Sequence, residues 1–376
     1  MIRRLIPRIL HVSQPVEAGV AVVLAELAEY QHASGWDVHV ACPPDSWLAD
    51  RMAAAGISVH PWAATRSPGA SSLDEARRLR ELSRRLRPDV VHLHSSKAGL
   101  AGRLALRGHV PTVFQPHAWS FHATSGMVST ASALWERVAV RWTDLIVAVS
   151  GGELHEGYRR GITPPRSVIV PNGVDVHRFV PQDRDDARHR LGLTDAPLAV
   201  CIGRLATQKG QDTLVRAWPM ITTLVPDAQL ALVGDGPERA ALAGLNTPGV
   251  TLHGPSRTPE DWYAAADVVV VPSRWEGMAL VPLEAMASER AVVGFDVAGL
   301  AESVGDAGAV VPRGDVRGLA REVAARLADP ILAQREGRRG RVRAVTLYDR
   351  AQAVAGTDEA IRQLLDYNLP QHQFPA

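Results

Sequence analysis

Two carboxylates and two cations carry the chemistry that can be read first. Glu276 and Glu284 lie in the stretch Asp267–Ala287, with seven residues between them. Four consecutive valines, Val268 to Val271, precede them and read as a strand buried on both faces. Pro272 and Ser273 stop that strand, a loop from Arg274 to Ala279 follows, and Pro282 marks the first turn of a helix. Such a strand-loop-helix puts one carboxylate on the loop and the other about a turn into the helix. The first N–H groups of the helix favour a phosphate, while carboxylates suit sugar hydroxyls. A sugar-phosphate pocket is one reading of this stretch. A plain βα unit with two solvated glutamates is the other.

The cations follow a second strand, Leu198–Ile202, in the run Gly203-Arg204-Leu205 and then Lys209-Gly210. A glycine at a strand end allows a ligand close to the backbone. Arg204 and Lys209 beside it would hold a diphosphate and stabilise charge as it leaves. The run is neither G-x-x-x-x-G-K-[ST] nor G-x-G-x-x-G, so the usual mononucleotide and dinucleotide loops are absent. Gly234-Asp235-Gly236-Pro237 reads as a tight turn. Lysine usage sharpens the point: of 41 basic residues only Lys97 and Lys209 are lysines. An ammonium differs from a guanidinium in reach and geometry, so both positions merit a functional hypothesis, against chance survival under arginine-biased usage.

The elements that must position these groups alternate along the chain. Strands are expected at 8–13, 36–41, 57–60, 89–94, 112–116, 145–149 and 167–170, with helices between them. A second series is expected at 198–202, 229–233, 250–253, 268–271 and 291–295. This alternation implies parallel, doubly wound α/β sheets. With 376 residues, two domains are expected: 1–182, then 183–350, then a C-terminal helix and tail over 351–376 that crosses back to the first domain. The helix 73–87 buries Leu79, Leu82 and Leu86 and turns six arginines outward, most simply as a solvated face, with a membrane-surface role as the alternative. Residues 120–130 read as a mobile loop and the tail as loose.

Composition excludes several classes. Apolar residues make up 46% and charged residues 22%, as in soluble globular chains. Net charge is +1, spread as +5 over residues 1–180 and −4 beyond, which suits an anionic acceptor or a membrane surface and does not imply nucleic acid. The N-terminal run is broken by Pro7 and Arg8 and reads as neither signal peptide nor membrane span. Cys42 and Cys201 match no metal spacing and read as buried thiols in a reducing compartment. The expected location is cytoplasmic, with peripheral contact at the membrane's inner face as an option. His92 and His94 face one side of a strand. Without a third ligand of fitting spacing they read as packing or acceptor residues, and no metal is expected. Ser95, Ser96 and Lys97, between a strand end and a helix start, form an anion site by geometry.

The order G-R-L-x₃-K-G, L-V-G-D-G-P-E and S-R-W-E-G-M-A-L-V-P-L-E-A-M-A resembles the retaining GT-B glycosyltransferases of glycosyltransferase family 4, over almost the whole chain. The first half is similar in layout, with a Gly turn after its first strand and P-N-G-V-D before the linker. The resemblance implies two Rossmann-like domains facing a cleft, with the nucleotide-sugar donor on the second, the acceptor on the first, and no metal. It implies that Arg204 and Lys209 bind the donor diphosphate, that Glu284 holds the ribose and that Glu276 holds the sugar hydroxyls. The N–H groups of Met278, Ala279 and Leu280 would face the donor, with Gly203 and Gly277 beside it. His117 would position the sugar near the reacting carbon, and Gly19 would admit the diphosphate to the first loop. H-S-S-K-A-G resembles bacterial members that extend sugars on polyprenyl-diphosphate lipids, so Lys97 with Ser95 or Ser96 would hold an acceptor phosphate. The family often has two glycines where this chain has Ala18-Gly19, and a glycine where Ala279 stands.

The function expected is transfer of a hexose from UDP- or GDP-sugar to an acceptor hydroxyl, on a lipid-linked or other bacterial glycan, without cofactor. A nucleotide-sugar epimerase or hydrolase and a non-catalytic sugar-nucleotide-binding subunit are the alternatives.

Overall fold

In the computed structural model, residues 6–65, 69 and 71–367 are described. The expectations for residues 1–5, for most of the loop before residue 71 and for the tail from 368 lie outside them. The chain divides into two compact units, Met1–Pro171 with Ala351–Ala376, and Asn172–Arg350. The division falls earlier than 182/183, and the C-terminal piece belongs to the first unit. There its helix, Arg350–Tyr367, begins before the expected Asp358 and adds Ile361 and Leu364 to the core around Ile9 and Val90.

The first unit contains β1 (Arg8–Ser13), β2 (Asp37–Cys42), β3 (Ser58–Pro61), β4 (Val90–His94), β5 (Thr112–Gln115), β6 (Leu145–Ala148) and β7 (Ser167–Ile169). They form one parallel sheet in the order β3-β2-β1-β4-β5-β6-β7. Its central strands are buried on both faces, because helices cover each side of a parallel sheet. Strand order reverses between β1 and β4, and loops at the C-terminal ends of such a pair form the binding crevice of open α/β sheets. Register also matters here. His11 pairs with His92 across β1 and β4, and Ser13 pairs with His94, so His11, His92 and His94 share one face.

The second unit contains β8 (Leu198–Ile202), β9 (Gln229–Val233), β10 (Val250–His253), β11 (Val268–Val271), β12 (Ala291–Phe295) and β13 (Gly308–Val311), in the order β10-β9-β8-β11-β12-β13. Its reversal lies between β8 and β11, the two strands that carry the cations and the carboxylates at their ends. Helices Val316–Ala328 and Pro330–Leu347 complete the unit, the former burying Leu319, Val323 and Leu327 at helical spacing.

Two elements depart from expectation. β13 is a four-residue strand whose Gly308 and Ala309 give no β-branched signal. The supposed mobile loop contains a 3₁₀ turn, Ser120–His122, and the start of a helix, Gly126–Ala139. That helix buries Ala133, Glu136 and Ala139 and exposes Met127, Val128 and Leu134, so its buried face is small and charged and has no hydrophobic period. Glu136 is paired inside with fully buried Arg103, 2.6 Å away. All six arginines of helix Ser72–Leu86 and its cap are exposed, as a solvated face requires.

Candidate functional site

In the second unit the loops after β8 and β11 meet. Lys209 ends a 3₁₀ turn, Thr207–Lys209, and Gly210 follows in the left-handed region at φ 67°. A Cβ at Gly210 would lie 2.0 Å from the Pro272 carbonyl oxygen, so only glycine lets the β8 loop lie against the end of β11. Arg274 closes the same seam. Its backbone N–H donates to Gln208 O (2.8 Å), and its guanidinium donates to Thr207 O (2.5 Å) and Asp212 (2.7 Å). The result is an ion pair, with Lys209 Nζ 2.6 Å from Glu276 Oε1. Gln208 Nε2 donates to Trp275 O (3.1 Å) beside it. Glu276 is buried and Lys209 partly exposed, while Arg204 at the front of the loop is exposed.

Met278 O accepts from Asn172 Nδ2 (2.7 Å), and a Cβ on Gly299 would lie 2.3 Å from Gly277 O, so Gly277 and Met278 are packed tightly from two sides. Helix Leu280–Ala287 then begins with Ala279 as N-cap, a residue with no side-chain group to cap the first turn. Its leading N–H groups have no intrahelical acceptor and face the helix start, where an anion would be favoured. Glu284 lies one turn in, and its Oε2 accepts from Tyr263 Oη at 2.5 Å. Burial, reinforced by the Glu284 carboxylate, pushes the Tyr263 hydroxyl well up, so it stays a donor. Two charges of opposite sign, a helix N-terminus and a second carboxylate thus stand along one strand-end surface. That set can hold a diphosphate at its cationic end and hydroxyl groups at its carboxylates.

Two other residues of this site, Gln208 and Tyr263, have no signature in the sequence, and Asn172, within the P-N-G-V-D run, is not marked by that run as part of it. All three act through contacts at long sequence separation, and only the glycines at 210 and 299 mark the close approaches.

In the first unit, His117 follows β5 and Pro116 at φ 54°, and Ala118 at φ 101° is left-handed as well. Glu153 holds this turn. Its Oε1 accepts Ala118 N–H (2.6 Å), its Oε2 accepts Val149 N–H (2.9 Å), and its carbonyl accepts Trp119 Nε1 (2.7 Å). Burial pushes the Glu153 carboxyl up to about 7, against the pull of the two N–H donors. Burial drives the His117 imidazole down to about 3.

His94 Nδ1 lies 3.3 Å from His117 Nε2, and His94 Nε2 lies 3.1 Å from His11 Nδ1. His11 is the third imidazole near His92 and His94 that sequence spacing does not reveal, with ligand atoms of all three within 4.8 Å of one another. In this structure the His11 and His94 nitrogens lie within hydrogen-bond distance of each other and of Gln31 and His117.

Lys97 differs from its expected place. Its ammonium is buried, 2.7 Å from Glu75 and 3.1 Å from Ser72 Oγ, both on helix Ser72–Leu86. The anion it meets is therefore an internal carboxylate. That Lys97 pairing holds the Glu75 carboxyl below its usual range although burial pulls it up. Ser95, left-handed at φ 68°, and Ser96 are half-buried at the start of helix Ser95–Leu106. After β1 the left-handed residue is Ala18, at φ 60°, and not Gly19. Ala18 thus occupies the position where a second glycine would relieve strain. Cys42 and Cys201 are free and buried, with burial pushing their thiols up to about 11 and about 12. Among the described residues, no helix is long and apolar enough to cross a membrane.

The family model described as Glycosyl transferases group 1 matches residues 196–329, and that of Glycosyltransferase Family 4 matches residues 18–178. The chain is 38% identical over 190 residues to a GDP-mannose-dependent alpha-(1-6)-phosphatidylinositol monomannoside mannosyltransferase of Mycolicibacterium smegmatis. That match covers 46% of this chain and only 50% of that relative's length. It is 31% identical to an alpha-maltose-1-phosphate synthase of the same organism, over 73% of this chain and 79% of the relative. The fold matches that of sucrose-phosphate synthase from Thermosynechococcus elongatus with a TM-score of 0.81 at 23% identity, over 96% of this chain and 100% of that one.

Proposed function

The chain belongs to the family 4 glycosyltransferases of the GT-B fold, and on that premise we propose that it transfers a hexose, with retention, from a nucleoside diphosphate sugar to an acceptor hydroxyl. The observation that carries the reading is the Lys209–Glu276 pair at the β8/β11 switch point, beside an uncapped helix N-terminus and Glu284. Lys209, Arg204 and the helix N-terminus take the diphosphate and stabilise its charge as it departs. Glu284 holds the ribose hydroxyls, with Tyr263 fixing its carboxylate. Glu276 holds the sugar. His117 is the residue proposed to position the transferred sugar. The acceptor hydroxyl bonds to the anomeric carbon as the diphosphate oxygen leaves, and the leaving phosphate takes the hydroxyl proton. No side-chain nucleophile is invoked.

GDP-mannose is the first donor to test, because two relatives are named for it; UDP-sugars are the second class. The acceptor is proposed to be a saccharide or a lipid-linked glycan, reached without a metal cofactor. With Lys97 committed to Glu75, the acceptor phosphate falls to Ser95, Ser96 and the start of their helix. Release of nucleoside diphosphate from each donor, with and without an acceptor panel, tests the proposal. Acceptor-dependent release supports transfer. Acceptor-independent release favours an epimerase or hydrolase, and binding without release favours a non-catalytic subunit.

A further inference from the structure

A continuous line of polar side chains runs through the first unit, and the proposed reaction gives a task only to its last member. Arg362 Nε donates to Asp358 Oδ2 at 2.7 Å, and Gln31 Nε2 donates to Asp358 Oδ1 at 3.0 Å. Gln31 Oε1 lies 2.8 Å from His11 Nε2. His11 Nδ1 lies 3.1 Å from His94 Nε2, and His94 Nδ1 lies 3.3 Å from His117 Nε2. Gln31, His11 and His94 are fully buried and Asp358 nearly so, so water does not set the proton positions from Asp358 to His94, while His117 at the end of the line is partly exposed.

The direction of every bond follows from one end. A carboxylate paired with a guanidinium only accepts. Gln31 must therefore turn its amide N–H₂ to Asp358, which leaves its oxygen toward His11. That oxygen requires a proton on His11 Nε2. Burial holds His11, His94 and His117 far below the usual imidazole range, so each ring is neutral and carries one proton. With its proton on Nε2, His11 offers Nδ1 as an acceptor to His94 Nε2–H. His94 in turn offers Nδ1 to His117 Nε2–H.

We propose that Asp358 is a positioning residue: through Gln31, His11 and His94 it fixes His117 in the Nε2–H tautomer, leaving His117 Nδ1 a permanent hydrogen-bond acceptor. A helix from the end of the chain thereby decides which kind of partner His117 receives. A hydroxyl that donates is held, and a carbonyl or phosphate oxygen is refused. This consequence for transfer rests on the role of His117 in the proposed function. The tautomer itself does not.

The test uses the full-length ¹⁵N-labelled protein and two-bond ¹H–¹⁵N spectra of its imidazoles near pH 7.5, with His117 assigned by the signal lost in His117→Gln. The wild type should show Nε2–H for His11, His94 and His117. In Asp358→Asn the side-chain oxygen stays on Arg362 and the amide N–H₂ turns to Gln31. Gln31 then reverses, and all three rings should change to Nδ1–H. Should that variant not fold, Gln31→Met cuts the line while leaving Asp358–Arg362 in place, and the single tautomer at His11 should give way to a mixture. Nδ1–H at His117 in the wild type, or unchanged imidazole spectra in a folded variant, would overturn the proposal. In the kinetic arm, Asp358→Asn should lower kcat for transfer on the order of tenfold with donor KM little changed. A reversed tautomer with unchanged kcat would leave the relay standing and remove His117 from the transfer step.

Discussion

Lys209 Nζ lies 2.6 Å from Glu276 Oε1, so the cation assigned to the leaving diphosphate and the carboxylate assigned to the sugar hold each other before any donor arrives. The pair holds both side chains in place. Lys209→Ala strands a buried carboxylate and should cost about 1–3 kcal/mol of stability in urea unfolding. Adding Glu276→Gln should recover part of that loss. A double variant no more stable than Lys209→Ala would mean that the pair is not coupled.

Tyr263 fixes the carboxylate of Glu284, one turn into helix Leu280–Ala287. Tyr263→Phe removes one hydrogen bond to a charged group, worth about 1.5–3 kcal/mol. Affinity for nucleoside diphosphate should fall about tenfold or more by calorimetry, while sugar-1-phosphate competition stays as it was. A selective loss of sugar affinity would move Glu284 to the sugar end.

The left-handed Ala18 gives a prediction in the stabilising direction. Left-handed backbone costs a non-glycine residue about 1–2 kcal/mol, and glycine's larger unfolded-state entropy returns about 0.4–1 kcal/mol of that. Ala18→Gly should therefore match or slightly exceed the wild-type melting temperature, and Ala18→Val should fall clearly below it. A Val variant as stable as the wild type would contradict the assignment.

Mild acid should weaken the first unit through its histidines. Burial takes His11 to about 4 and His117 to about 3, with His92 and His94 also well below the usual range. Each returns to about 6.5 when unfolded, so its contribution is complete above that pH. It is then lost toward the folded value, by up to about 1.4 kcal/mol per pH unit. Glu153 has the opposite sign. Its folded value of about 7 lies above the unfolded one, so its contribution is present at low pH and lost as pH rises through 7. Four groups outweigh one, and the urea midpoint should fall from pH 6.5 to 5. A midpoint that rises over this interval would contradict the buried, neutral cluster.

Most strands were legible because β-branched runs such as Val268–Val271 end at glycine or proline, and parallel sheets need such runs. β13 was not, since Gly308 and Ala309 dilute it. Helix Gly126–Ala139 was hidden because its inward face is Ala133, Glu136 and Ala139. The site's charged residues could be read from residue type and from their place after strands. Their partners could not. Lys97 looked like an anion binder because Glu75, its partner, sits on another helix. The link from Gln31 to Asp358 spans 327 positions, beyond any local spacing rule.

The loop bearing Glu276 is proposed to grip the transferred sugar of a nucleoside diphosphate donor. The direct measurement compares wild type and Glu276→Gln for acceptor-dependent transfer and, separately, for nucleoside diphosphate affinity by calorimetry. Transfer should fall about a hundredfold or more while nucleoside diphosphate affinity changes by no more than about threefold. Equal loss of both, or transfer that survives the substitution, would contradict it.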